Sequence, residues 1–160
     1  IWREDITAKS VERVETVIRS LHLEVNIWHM SESTRTTAEA AEAIACAVGQ
    51  IVKSLFFETD TGELALLLVS GKHKVGLKKF AVDWGMELQR ANPNQARNET
   101  SFAIGGFAPI GHLKRIDAWI DISLFDYEYV WAAAGAPHAV FTIKPENLME
   151  LTSASKICPA

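Results

Sequence analysis

Residues 50–70 read Gln-Ile-Val-Lys-Ser-Leu-Phe-Phe-Glu-Thr-Asp-Thr-Gly-Glu-Leu-Ala-Leu-Leu-Leu-Val-Ser, a pattern that predicts two β-strands joined by a tight turn. The strands predicted over 50–59 and 63–70 carry apolar side chains on both faces, and Asp60-Thr61-Gly62 is typical of a hairpin turn. A strand that is apolar on both faces is covered on both sides in the folded protein. We therefore expect this hairpin to be buried.

Lys53 is the exception in this hairpin, because it stands in mid-strand between large apolar residues. A lysine is rarely placed there without a partner or a purpose, since removing its charge from water is costly. One interpretation is a side chain that reaches solvent at a sheet edge. The other is a cation at the floor of a pocket, where it would meet an anionic or carbonyl-bearing ligand.

A second stretch, residues 100–112, reads Thr-Ser-Phe-Ala-Ile-Gly-Gly-Phe-Ala-Pro-Ile-Gly-His. Its three glycines and one proline predict a stiff loop, because glycine allows close approach to the backbone and proline fixes its own φ. The N–H groups of such a loop can donate to a ligand. The same composition is also common in a plain connection between strands, and the stretch alone leaves both interpretations open.

Short helices and strands are predicted around these segments. The predicted helices cover 10–21 behind a Ser10 cap, 37–48 behind a capping box of Thr36 and Glu39, 77–84, and a last segment that starts at Pro145. The predicted strands cover 24–30, 87–91, 112–116, 118–121, 129–134 and 139–143. This irregular alternation predicts a single α+β domain over residues 1–160. We expect a curved, mixed, largely antiparallel sheet, barrel-like in shape, with helices around it.

The charge balance limits the class of partner. The net charge is −4, which argues against a protein that coats nucleic acid through many phosphate contacts. It still permits a small basic mouth for one end of an RNA. The densest basic cluster suggests either a solvated face or a phosphate contact patch. Its members are Lys72, His73, Lys74, Lys78 and Lys79.

Two further features concern the cellular setting. No apolar run reaches the roughly 18 residues that span a bilayer, so we expect no membrane association. Cys46 and Cys158 show no metal-binding spacing, and two thiols without a disulfide framework suit a reducing cytoplasm.

Catalytic motifs that depend on a nucleophile, a nucleotide or a metal do not occur in this sequence. It contains no G-x-S-x-G, P-loop, dinucleotide fingerprint, H-E-x-x-H or CxxC, and its five histidines are dispersed. An enzyme of this kind would work without a covalent nucleophile, metal or cofactor. A donor-rich loop and one buried cation stabilise developing negative charge, which ester hydrolysis requires. Water or a substrate group would then be the nucleophile.

Five segments, taken in chain order, carry a family pattern. They are 37–41 (Thr-Ala-Glu-Ala-Ala), 49–55 (Gly-Gln-Ile-Val-Lys-Ser-Leu), 105–112 (Gly-Gly-Phe-Ala-Pro-Ile-Gly-His), 121–124 (Asp-Ile-Ser-Leu) and 134–135 (Ala-Gly). Together they resemble the YbaK/EbsC family, the editing domain that is also inserted in bacterial prolyl-tRNA synthetases.

The resemblance implies a trans-editing hydrolase that deacylates mischarged aminoacyl-tRNA, typically tRNA for proline carrying cysteine or alanine. The implied partners are the acceptor end of that tRNA and prolyl-tRNA synthetase, with no DNA, membrane, metal or cofactor.

The resemblance also assigns roles to individual residues. It places the family's lysine on Lys53 and its catalytic Gly-x-x-x-Pro loop on Gly105, Gly106 and Pro109. The substrate-binding residues that we expect are Ser70, Gly71, His112, Asp121 and Gly135. Many relatives read Thr-Gly-Phe before the loop, whereas this chain reads Thr100-Ser101-Phe102. Since serine adopts a positive φ less readily, the start of the loop is expected to differ.

Two other functions remain open at this point. One is a non-catalytic module that binds tRNA or a synthetase, and the other is a hydrolase of small acyl esters or thioesters. Binding of mischarged tRNA without turnover would favour the first, and equal activity on free aminoacyl esters would favour the second.

Overall fold

A computed structural model describes residues 2–30, 37–102, 107–136 and 139–159, with side chains from residue 9 onward. The helices in this part of the chain are α1 (Trp2–Arg19), α2 (Thr37–Ala43), α3 (Leu77–Trp84), α4 (Pro93–Thr100) and α5 (Pro145–Thr152). The strands are β1 (Ile27–His29), β2 (Val52–Thr59), β3 (Leu64–Ser70), β4 (Leu88–Arg90), β5 (Asp117–Asp121), β6 (Val130–Ala133), β7 (Ala139–Ile143) and β8 (Ser155–Ile157). Short 3₁₀ helices cover Val48–Gln50 and Ile122–Asp126.

The strands form two sheets, which confirms the predicted mixed α+β architecture. One sheet has the order β1-β7-β6 and is antiparallel throughout. The other has the order β4-β2-β3-β5-β8, antiparallel from β4 to β3 and parallel from β3 to β8. A parallel bridge between Ile51 and Trp131 joins the sheets. Among the described strands the two sheets do not close into a barrel.

The predicted β2–β3 hairpin lies at the centre of the larger sheet, and all seven residues of β3 are buried. Leu66 and Leu68 face the main core, where they pack with Ile120 and Phe141. Leu67 and Val69, on the opposite face, pack in a second cluster with Phe80 of α3 and Trp119. Because side chains alternate along a strand, this two-sided cover explains why both faces of the hairpin are apolar.

Two predicted boundaries were wrong. Ser10 does not cap a helix but lies inside α1, because no glycine or proline interrupts residues 2–9. The helix predicted over 37–48 ends at Ala43, followed by Ala45 at a φ of 55°. The capping residue Thr36 lies outside the described residues.

The strand predicted over 112–116 is absent from the described structure of that segment, which turns instead after Gly111 at a φ of 81°. Strand β8 was not predicted, since three residues are too few to show an alternating pattern.

Candidate active site

A cleft of about 740 Å³ opens along one edge of β2. On that side β2 pairs with β4 only over residues 57–59, and its bridge to β6 lies at Ile51. No strand in the described part of the chain pairs with the edge in between. The amide of Gly71 donates to the carbonyl of Ile51 at 2.8 Å, so odd-numbered residues of β2 bond to β3. The alternation of an antiparallel ladder therefore turns the N–H and C=O of Ser54 toward the cleft.

The cleft extends around this strand edge, so that it is bordered by side chains from both faces of β2. Lys53 and Leu55 project on the α3 side, whereas Phe56 packs with the main core. The hydroxyl oxygen of Ser54 is buried and has no hydrogen-bond partner among the described residues. The other lining residues are Phe57, Lys74, Val75, Leu77, Arg90, Ala91, Pro93, Ala96 and Phe107.

Lys53 is half-buried in the wall of this cleft, and its ammonium group donates a hydrogen bond to the carbonyl of His73. Burial lowers the pKa of Lys53, the carboxylate of Asp121 opposes this shift, and the charge of Lys74 adds to it. The lysine thus stands at an unpaired sheet edge and in a pocket at once. The two interpretations drawn from the sequence describe the same place.

Asp121 fixes the position of His73, whose carbonyl accepts the hydrogen bond from Lys53. Its side chain is fully buried and accepts hydrogen bonds from Ser70 N at 3.0 Å, Ser123 N at 2.9 Å and Ser123 Oγ at 2.8 Å. His73 Nδ1 lies 2.9 Å from Asp121 Oδ2. Burial alone would raise the pKa of Asp121, but the hydrogen bonds from His73, Ser123 and Ser70 outweigh it and lower the pKa. The carboxylate is therefore ionised, and Nδ1 of His73 carries the proton that it donates.

The charged residues of the cleft are all basic. Lys53, Lys74 and Arg90 line it, and no carboxylate stands among its described lining residues. This contrasts with the net charge of −4 for the whole chain. The remaining lining is mostly apolar and aromatic, so the cleft suits a ligand with both anionic and apolar parts.

The loop over 100–112 reaches the same cleft through Phe107. Gly105 and Gly106 lie outside the described residues. Phe107 lines the cleft and contacts Phe56 edge-on, with ring centroids 5.3 Å apart. The structure thus brings Lys53 and Phe107 of this loop to one cavity.

Two other predicted loop residues do not line the Lys53 cleft. Pro109 and His112 line a separate cleft of about 250 Å³. His112 Nε2 donates to the carbonyl of Ala108 at 2.7 Å, a bond that closes the end of the loop. The pKa of His112 is lowered overall, mainly by burial and also by the charge of Arg13, while the hydrogen bond to Ala108 opposes this shift.

The remaining predicted substrate-binding residues do not line the Lys53 cleft. Ser70 Oγ donates to the carbonyl of Gly49 at 2.8 Å. A Cβ on Gly71 would lie 2.4 Å from the carbonyl oxygen of Val48, which leaves room only for glycine. Gly135 has a φ of 96° and packs against Phe102. Their contacts support the local backbone, and a role in substrate binding remains a prediction.

Several residues in or beside the cleft were not identified from the sequence as site residues. His73 and Lys74 were noted only as members of a basic cluster, although both stand beside Lys53. Arg90 gave no signal, because a single arginine in a three-residue strand resembles a surface residue. Phe107 was named only as part of the loop sequence.

Solved structures with the same fold define the class of protein. A candidate trans-editing enzyme for prolyl tRNA synthetase is 40% identical to this chain, with a TM-score of 0.83, and the match covers 92% of this chain and 94% of that one. A structure reported for epitope backbone grafting on scaffold proteins is 37% identical, with a TM-score of 0.84 and coverage of 92% and 95%.

The sequence comparisons lead to the family. The uncharacterized protein YwhH of Bacillus subtilis (strain 168) is 28% identical over 143 residues, which cover 89% of this chain and 91% of YwhH. Residues 31–151 match the sequence model of the aminoacyl-tRNA editing domain, and this segment is more than half of the 160 residues. The chain belongs to the aminoacyl-tRNA editing domain family.

None of the described helices has the length and hydrophobicity needed to cross a lipid bilayer.

Replacing Asp121 by Asn should lower the free energy of unfolding by about 2–4 kcal/mol. The amide nitrogen of asparagine would face one of the N–H groups of Ser70 and Ser123, so that buried donors would lose their acceptor. Urea unfolding of both proteins measures the difference. Asp126→Asn, at the end of the 3₁₀ helix that follows Asp121, is the matched control, because Asp126 is exposed. An equal loss in both variants would contradict the role of Asp121.

The pH dependence of stability should reveal the lowered pKa of His112. Because its pKa is lower in the folded chain than in the unfolded chain, the unfolded state binds more protons below about pH 6.5. The contribution of the neutral imidazole is complete above that pH and is lost as the pH falls through the folded pKa. His112→Gln keeps a donor for Ala108 and cannot titrate. Urea unfolding between about pH 7.5 and about pH 5 should therefore show a smaller loss of stability for the variant. Identical pH profiles would contradict the assignment.

Proposed function

We propose that this protein is a trans-editing hydrolase that deacylates mischarged aminoacyl-tRNA in the cytoplasm. The observation that carries the proposal is that Lys53 and Phe107 of the glycine-containing loop line one cleft. A cation and a loop with backbone donors are the two parts that ester hydrolysis without a covalent nucleophile requires. Membership of the aminoacyl-tRNA editing family supports an aminoacyl ester as the substrate.

Lys53 provides the positive charge in this mechanism. Its ammonium group binds the terminal nucleotide or the ester of the substrate, and its bond to the His73 carbonyl fixes its direction. Lys74 and Arg90 line the same cleft and add to the attraction for an anionic ligand. The apolar wall around Phe56, Phe57 and Phe107 excludes water from the rest of the cavity. The electrostatic attraction between these cations and the substrate is therefore stronger than it would be in water.

The loop provides the donors for the carbonyl oxygen. On the family resemblance, we assign this role to backbone N–H groups of residues 105–108, and Pro109, which has no N–H, stiffens the end of this segment. Water, or a hydroxyl or thiol of the substrate, attacks the ester carbon and forms a new bond to it. The bond from that carbon to the ribose oxygen then breaks, and the proton released by the nucleophile ends on the ribose oxygen. Deacylated tRNA leaves with a free terminal hydroxyl. The acyl group leaves as the free amino acid when water attacks, or as a cyclic ester or thioester, which water then opens, when its own side-chain hydroxyl or thiol attacks.

The substrate that we propose is tRNA for proline carrying cysteine or alanine. The proposal rests on the family resemblance and on the 40% identity to a candidate trans-editing enzyme for prolyl tRNA synthetase. A small acyl group is consistent with the aromatic residues that border the cleft. Prolyl-tRNA synthetase is the corresponding candidate partner.

The basic cluster before and within α3 is a candidate contact for the tRNA backbone. Lys72, Lys74 and Lys78 are exposed, and Lys74 belongs to the cleft itself. Lys78 lies in the first turn of α3, where the helix dipole adds positive potential. Lys79 differs, since it is bonded to Asp83 at 2.6 Å.

Removing the charge of Lys53 should abolish most of the deacylation. We expect Lys53→Met to lower kcat on cysteinyl- or alanyl-tRNA for proline by at least about a hundredfold. Methionine keeps the length of the apolar stem and removes the charge, and Lys9→Met on the exposed side of α1 is the matched control. Loss of the ester bond from labelled aminoacyl-tRNA is the measurement. Full activity of Lys53→Met would eliminate the mechanism.

Two parallel results separate the alternative functions, and a third experiment identifies the substrate. Binding of mischarged tRNA by the wild-type protein without turnover would indicate a binding module. Equal rates on tRNA and on free aminoacyl esters would indicate a small-ester hydrolase. A panel of differently mischarged tRNAs identifies the acyl group.

Removing the exposed lysines should weaken the salt-dependent part of tRNA binding. For Lys72→Gln, Lys74→Gln and Lys78→Gln, each phosphate contact that is lost should lower the slope of log K against log salt by about 1. Lys9→Gln should leave this slope unchanged. Filter binding across a salt series is the measurement, and unchanged slopes in all three variants would assign the cluster to a solvated face.

A further inference from the structure

Arg13 of α1 joins the two ends of the glycine-containing loop. Its Nη2 atom donates to the carbonyl oxygen of Thr100 at 2.7 Å and to that of Ser101 at 3.3 Å, just before the loop. Its Nε atom donates to the carbonyl oxygen of Gly111 at 3.1 Å, at the other end. A single guanidinium group thus fixes the separation between two chain segments that are ten residues apart, from 101 to 111.

Both ends of the loop adopt a left-handed backbone, and the first end is strained by it. Ser101 has a φ of 60° and Gly111 a φ of 81°. Glycine adopts this conformation readily, whereas a residue with a Cβ is strained in it by about 1 kcal/mol or more. Ser101 adopts the positive φ despite this strain, and Arg13 donates to its carbonyl oxygen there. Ser10 Oγ also lies 3.4 Å from that carbonyl oxygen.

A continuous set of ring contacts leads from Arg13 to the Lys53 cleft. The guanidinium carbon lies 4.6 Å from the centroid of the Phe102 ring, and Phe102 contacts His112 at 5.8 Å. His112 contacts Phe56 at 5.7 Å, and Phe56 contacts Phe107 at 5.3 Å. The last two residues line the cleft. A shift of the loop ends would therefore move the aromatic wall opposite Lys53.

The chemistry of the contacts requires arginine. All of its described hydrogen bonds go to backbone carbonyls, and the planar fork presents Nε and Nη2 in directions that an ammonium group cannot reproduce. The helix that carries Arg13 precedes residues 31–151, which match the editing-domain model.

We propose that Arg13 is a positioning residue that fixes the two ends of the 100–112 loop and thereby holds Phe107 in the wall of the Lys53 cleft. The link to deacylation rests on the function proposed above, whereas the link to loop order does not.

Two measurements test the proposal with Arg13→Ala, Arg13→Lys and the matched control Arg19→Ala. Arg19 lies on the same helix, is exposed and pairs only with Glu15 in the described structure. The first measurement is amide hydrogen exchange without substrate. We expect exchange in residues 101–102 and 107–112 to be at least about tenfold faster in both Arg13 variants, with the β2–β3 hairpin unchanged.

The second measurement is steady-state kinetics on cysteinyl- and alanyl-tRNA for proline. Misplacing the loop by about 1 Å should lower kcat about tenfold to a hundredfold with little change in KM, since the tRNA contacts remain. Added ethylguanidinium should restore part of the kcat of Arg13→Ala and none of that of Lys53→Met. Arg19→Ala should match the wild type in both measurements.

Each outcome decides one of the two proposals. Faster exchange confined to the loop supports the positioning role even if the wild-type protein hydrolyses none of the tRNAs, a result that would overturn only the proposed function. Wild-type exchange in both Arg13 variants overturns the positioning role. Faster exchange throughout the chain, or a failure of both variants to fold, also overturns it, because Arg13 would then support the fold as a whole.

Discussion

The arrangement of the site depends on the hydrogen bonds that the buried carboxylate of Asp121 accepts. A fully buried carboxylate is costly unless donors surround it, and Asp121 receives them from Ser70, His73 and Ser123. These donors belong to the end of β3, the segment after it and the 3₁₀ helix after β5. One charge therefore holds three segments together. Since the His73 carbonyl accepts the bond from Lys53, the same charge determines where the ammonium group lies.

The larger sheet explains why cationic and aromatic side chains line the same cleft. Residues 57–59 of β2 are covered by β4, but the preceding residues of its edge are not. The cleft forms where that cover ends, and it is bordered by Lys53 from one face of the strand and by Phe56 from the other. Cations and aromatic rings meet there because the cleft is lined by side chains from both faces of the strand.

Local patterns in the sequence predicted much of this fold. The β2–β3 hairpin, α3 with its stop at Gly85, and the β6–β7 pair all follow from periodicity and turn residues. Lys53 and the loop were recognisable because each breaks the pattern around it. The start of α1 and the end of α2 were predicted wrongly, because neither limit falls at the residue that the sequence offers: α1 begins before Ser10, and α2 ends at Ala43, before Gly49. His73, Arg90 and Arg13 could not be identified as neighbours of the site, since they reach it from segments far apart in the chain.

The backbone N–H and C=O of Ser54, which face the cleft, have an evolutionary consequence. Main-chain atoms are the same for nearly every residue, so most point substitutions leave that part of the cleft surface unaltered; only proline would delete the N–H. Side chains around it can vary over generations while the polar stripe along the strand edge persists. A lineage could thus acquire a new acyl-group preference by exchanging residues such as Leu55 or Phe107 without rebuilding the strand edge itself.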